Sequence, residues 1–184
     1  MKTRIKRINR EELGQALVEL SLAFVVLCVF VSGIVDFGRA IYDVQVMKNL
    51  VGEGSMMASR GTDVATTAQK VAIYAGSDIN LSTQGCVIVT AVTNEGGGAY
   101  QITGQAYVGT GPSCSSKIGC LNGVGSCHSS AAVLPPAAVN ALTSEITGSS
   151  IYATEIFYTY NTVTPIGALL GKSMPSQFYS VAYY

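Results

Sequence analysis

Tryptophan is missing from this 184-residue chain, and histidine occurs once, at His128. Charged side chains make up only 12% of the sequence, about half the share usual in a globular protein. These shortages exclude several functions. Eleven Lys and Arg are matched by eleven Asp and Glu, so there is no basic excess for a nucleic-acid surface. No Walker loop, G-x-S-x-G elbow, H-E-x-x-H or G-x-G-x-x-G motif is present, so the common nucleotide-binding and hydrolytic frameworks lack their key residues. In the last hundred residues the only acidic side chains are Glu95, Glu145 and Glu155, and nothing in their spacing brings two together. The expectation is a protein without catalytic activity or a cofactor.

What charge there is, is unevenly placed. Residues 1–14 hold Lys2, Arg4, Lys6, Arg7 and Arg10 against Glu11 and Glu12, a net charge of +3. Directly after them, Leu20 to Val35 reads LSLAFVVLCVFVSGIV without a formal charge. Extended back to Gln15, the stretch would span about 31 Å as a helix, against a bilayer hydrocarbon core of about 30 Å. The basic flank orients it with the N-terminus in the cytoplasm. A conventional signal peptide, cut near Ile34 after the small residues Ser32 and Gly33, is the alternative reading of the same stretch. The continuation favours an anchor. Phe37, Ala40, Ile41, Val44, Met47 and Val51 recur at helical spacing, so one helix is expected over 15–59, with weak points at Gly38, Gly52 and Gly54.

One residue in this region is out of character. Glu19 carries a carboxyl into the apolar run, where a charge costs several kcal/mol near the bilayer centre and less near the surface. A basic leader, Gly14, a glutamate five positions later and a long apolar helix resemble the prepilin signal of type IV filament systems. The fuller stretch, with Gly14, Ala16, Val18, Glu19, the GIVDFGR sequence at 33–39 and the small residues from Ala58 to Gly61, resembles the TadE-like pseudopilins of the tight-adherence (Tad, Flp) pilus machinery. The sequence IYATEIFYTYNTVTPIGALLG at 151–171 resembles that family's late strand, TP turn and short hydrophobic segment. Gln15 stands where type IV pilins usually carry Phe.

The resemblance implies a prepilin peptidase cutting between Gly14 and Gln15, which makes Glu19 the fifth residue of the mature chain. It also implies a counter-charge for Glu19, the new α-amine of Gln15 in the same or an adjoining subunit. An opposite charge is one of the few ways to keep a carboxylate ionised in apolar surroundings. The implied partners are the peptidase, other pilin subunits, the inner-membrane assembly platform and the membrane itself, with no nucleic acid. The expected location is the bacterial inner membrane, with one pass and the C-terminal domain outside.

The remaining chain, 60–184, reads as an extracytoplasmic α+β domain. VATTAQKVAIYAG at 64–76 is a helix, with Thr62 or Asp63 as N-cap and Gly76 as its stop. CVIVTAV at 86–92 is a strand, and NEGGG at 94–98 turns it into an alternating strand, AYQITGQAYV, at 99–108, in which Gly104 is a weak point. Pro136–Glu145 suits a short helix, while 150–160 and 176–184 read as two further strands. The predicted fold is pilin-like: a long N-terminal transmembrane helix packed on an antiparallel sheet of about four strands, with a disulfide-stapled loop.

That loop, 109–130, is rich in Gly, Ser and Cys and poor in core residues. Cys28 lies in the membrane run and reads as a small apolar packing residue. The other four, Cys86, Cys114, Cys120 and Cys127, are an even number in an exported domain and predict two disulfides, with three possible connectivities. A metal site from Cys120, Cys127 and His128 lacks a CxxC pair and is disfavoured. The function expected is that of a minor pilin or pseudopilin in a Tad/Flp-type pilus or its assembly base, supporting adhesion. The alternatives are a non-polymerising, membrane-anchored binding domain and a secreted binding protein.

Overall fold

The computed structural model of the chain describes residues 10–76, 79–110, 114–120, 131–143, 146–164 and 176–184. It divides into two compact units, Met1–Arg39 with Thr162–Met174 and Ala40–Asn161 with Pro175–Tyr184.

Helix α1 runs without a break from Arg10 to Ser59. The suspected weak points do not interrupt it. Gly38 and Gly52 have open space around them, so nothing presses on the helix there. Along the apolar run, side chains such as Leu20, Phe24, Leu27 and Phe30 are exposed, as expected of a helix whose solvent is lipid. From Ala40 onward the pattern changes. Ala40, Asp43, Met47, Leu50, Val51, Ser55 and Ala58 are buried, a stripe at three- and four-residue spacing that marks one face of the helix. The helix ends on Gly61, whose φ of 92° few other residues adopt. The Gly61 amide donates to Ala58 O, and that of Thr62 to Met57 O, the paired closure of a Schellman cap.

Helix α2, Val64–Ala75, starts on Asp63, whose side chain accepts from the amides of Ala65 and Thr66, and stops at Gly76. A single further turn, α3, Leu81–Gln84, is capped by Asn80. The sheet follows: β1, Gly85–Gly96; β2, Ala99–Gly109; then helix α4, Pro136–Thr143; then β3, Ser150–Thr159, and β4, Gln177–Tyr183. The order across the sheet is β2-β1-β3-β4, antiparallel throughout. The expected α+β architecture with four antiparallel strands is thus present. Two details differ from the sequence reading. Strand β1 continues through Gly96, because the tight turn needs only Gly97 and Gly98, both at positive φ. Gly104 pairs with Ala91, but the next pair is Val92 with Ile102, so Gly104 sits at a β-bulge rather than weakening the strand.

Strands β1 and β3 are covered on both faces. Val89 is opposite Thr154, and Thr154 and Val71 of α2 close around Gly54 of α1. The helices therefore lie on that side. On the other side Val92, Ile102, Ile118, Ala138, Leu142, Ile151 and Ala153 form a core with the segment around Ile118 and with α4. This is why Cys86 to Val92 is almost continuously apolar rather than alternating.

The tightest helix contact generates a prediction. A β-carbon on Gly54 would stand 2.9 Å from Thr154 Oγ1 and from Val71 Cγ2. Gly54→Ala is therefore expected to destabilise the domain by about 1–3 kcal/mol through overpacking. Gly52→Ala, in open space on the same helix, is expected to stabilise it by about 0.5–1 kcal/mol. Thermal unfolding of both variants in detergent, followed by circular dichroism, checks the opposite signs.

Candidate functional site

Gly14 and Gln15 lie within the opening turns of α1, both exposed, and among the described residues no packing neighbour comes within 4 Å of where a Gly14 β-carbon would stand. Glu19 follows Gln15 by four residues, one helical turn, so the two share a face of the helix. Glu19 is exposed and has no hydrogen-bond or ion-pair partner among the described residues. Cys28 is a free, exposed thiol on the same helix.

At the end of the apolar run stands Asp36, which is buried. Its Oδ1 accepts from the backbone amides of Val163 at 3.0 Å and Thr164 at 3.2 Å, and its Oδ2 from the Thr164 hydroxyl. Both partners belong to the same compact unit as the membrane-type helix. Asp36 thus ties the start of the β3–β4 connection to α1. Sequence reasoning placed Asp36 in the exit motif but assigned it no partner. The signal available was an acid on the same helical face as Ala40 and Asp43.

Of the four candidate cysteines, Cys86 and Cys114 form a disulfide across 6.1 Å between Cα atoms. Cys120 is also disulfide-bonded, and Cys127 and His128 lie outside the described residues. No cluster of three metal-ligating side chains occurs among the described residues.

Beside the disulfide is a second polar centre. Glu155, in the middle of β3, is fully buried. Its Oε1 accepts from the amide of Lys117 and the hydroxyl of Tyr179, each at 2.9 Å, and its Oε2 accepts from the Ser116 hydroxyl. Three donors offset the desolvation of the buried carboxyl. The Lys117 ammonium lies 3.7 Å from the centre of the Tyr179 ring, a cation–π contact on the outer side of the same cluster. Burial, then the charge and hydrogen bonding of Glu155, push the Tyr179 phenol well above its ordinary value. Burial and Glu155 also push up Tyr183. A neutral phenol is what a donor to a carboxylate requires.

The fold and these features define a class: an α+β domain on the far half of one long helix whose near half is apolar enough to cross a membrane. Residues 14–56, most of helix α1, are similar to the family model described as TadE-like protein. No curated protein and no solved structure matches the chain.

Two predictions follow from the polar contacts. Removing the Asp36 carboxyl strips three hydrogen bonds, so Asp36→Ala is expected to release residues 162–164, raising amide exchange at Val163 and Thr164 at least tenfold by mass spectrometry, for a loss of about 1–3 kcal/mol. For Tyr179, the folded phenol titrates above the unfolded value of about 10, so its contribution is complete below pH 10 and is lost as pH rises beyond it. Melting temperature should therefore fall above pH 10, and Tyr179→Phe should flatten that fall.

Proposed function

We propose that the protein is a minor pilin or pseudopilin of a Tad/Flp-type pilus or of its assembly base, held in the inner membrane by α1 with its sheet domain outside, and serving adhesion. The observation that carries this reading is the TadE-like match over residues 14–56, which begins at the glycine where a prepilin peptidase would cut. In this reading the peptidase opens the Gly14–Gln15 bond, and the new amine of Gln15 becomes the counter-charge of Glu19. The exposed setting of Glu19 supports this, because it leaves the carboxyl open to a partner from another subunit. Inside an apolar bundle such a pair keeps both charges where neither would be stable alone. Neighbouring subunits and the assembly platform then cover the exposed apolar surface of α1. The size of the chain favours a minor component over a bulk filament subunit.

N-terminal sequencing and intact mass of the protein from its native host test the reading directly. Gln15 as first residue is the expected result. Met1 would mean an unprocessed anchor, and a start near Ile34 a secreted protein, and either would overturn it. Glu19→Ala is expected to reach the membrane at normal levels and to lower surface piliation about tenfold or more, the effect of losing ~1.4 kcal/mol of pairing.

A further inference from the structure

The Cys86–Cys114 disulfide is not the pairing that chain statistics favour. Its partners are 28 residues apart, whereas Cys120 is six residues from Cys114. Closing the longer loop from a flexible chain is less probable by about the 3/2 power of the length ratio, or roughly tenfold. Loop length alone therefore does not bring Cys114 to Cys86.

The sheet register shows what can do so. Cys86 is paired with Phe157, and Ile88 with Glu155, so Cys86 and Glu155 lie on one face of β1 and β3, one diagonal apart. Glu155 is two residues from Phe157 along its strand, a step of about 7 Å. Ser116, which donates to Glu155, is likewise two residues from Cys114. The two contacts occur together: with Ser116 and the Lys117 amide on the Glu155 carboxyl, Cys114 is bonded to Cys86. Beyond them Ile118 is buried in the core, and its amide donates to Ser116 Oγ, so the docked segment is fixed at three successive points.

We infer that Glu155 is the template for this disulfide, selecting Cys86 over the nearer Cys120 as the partner of Cys114 by docking Ser116 and Lys117 before oxidation. The chemistry is ordinary exchange. The Cys114 thiolate attacks a small-molecule disulfide and releases one thiol; the Cys86 thiolate then attacks the Cys114 sulfur of the mixed disulfide and releases the second. Two protein thiols are oxidised, one disulfide is reduced to two thiols, and the two protons lost by the protein thiols pass through solvent to the two released thiolates. Glu155 takes no part in the electron transfer and acts only by position.

The test is oxidative refolding of the full chain. The protein is reduced in denaturant, diluted into detergent micelles with oxidised and reduced glutathione, quenched by alkylation at intervals, and mapped as non-reduced peptides. The wild type should form Cys86–Cys114 as its dominant early bond. Ser116→Ala should slow that bond about five- to tenfold and raise Cys114–Cys120, and Ser116→Thr, which restores a hydroxyl, should recover most of the rate. Glu155→Gln, which turns one of the two carboxyl acceptors into a donor, should scramble the pairing. Tyr179→Phe is the control for stability alone. It removes a hydrogen bond to Glu155 from β4 while keeping the ring over which Lys117 lies, and should leave the pairing near wild type. Wild-type rate and fidelity in Ser116→Ala, or equal slowing in Ser116→Ala and Tyr179→Phe, would overturn the inference.

Discussion

Strands β1 and β3 are buried on both faces, and most of the domain is arranged to provide that cover. A strand pair with Val87, Val89 and Ile156 on one side and Ile88, Val92 and Ile151 on the other cannot rest half in water. The helix side is covered with conventional material: α2 and the buried stripe of α1. The other side has less to work with. The segment that crosses it is rich in Ser, Gly and Cys, and Ile118 is the one fully buried large apolar side chain among its described residues. Burial of one isoleucine yields only about 2 kcal/mol, while ordering each residue costs about 1–2 kcal/mol. Covalent and polar ties therefore supplement it, Cys86–Cys114 at one point and Glu155 at the next.

Helix α1 shows the same rule applied along one element. Its near part exposes apolar residues on every side, and its far part buries one face only. The change comes between Asp36 and Ala40, directly after the last residue of the uncharged run. A uniform surface suits lipid, which contacts the helix from all directions, whereas a stripe suits packing against one layer. The TadE-like match spans both parts, so the pairing of a lipid-facing half with a sheet-facing half belongs to the matched segment and not to either half alone.

Much of this was legible in the sequence, for identifiable reasons. The caps Asp63 and Gly76, the glycine turn after β1 and the alternation in β2 are local signals, and they read correctly because local chemistry decides them. The one-turn helix α3 was not legible, since four residues carry no period. The bulge at Gly104 looked like a defect, because a glycine reports freedom of the backbone without saying how that freedom is used. Asp36 and Glu155 were invisible as centres for a deeper reason. The donors to Asp36 come from 127 and 128 positions away and those to Glu155 from 24, 38 and 39, and no short window along the chain contains both partners. The Cys86–Cys114 bond is intermediate: parity predicted that disulfides exist, while the choice of partner depends on the register of β1 against β3.

Asp36, Glu155 and Glu19 are carboxyls that sit where water is scarce, or would be in a membrane, and comparing them clarifies the least explained one. Asp36 is satisfied by two backbone amides and a hydroxyl from its own compact unit. Glu155 is satisfied by an amide and two hydroxyls within the sheet domain. Both are neutral-donor solutions, complete within one chain, and both serve to fix a connection in place. Glu19 differs. It stands on a helix face with no such donor among the described residues, four residues from Gln15 and surrounded by exposed apolar side chains. No cationic partner for it stands among the described residues. Cutting at Gly14 would create one, an amine at the right end of the helix, and would do so only after the protein has reached the membrane. In the proposed reading the charge at position 19 would be costly until processing and assembly supplied its partner, and that cost would make a correctly placed neighbour favourable.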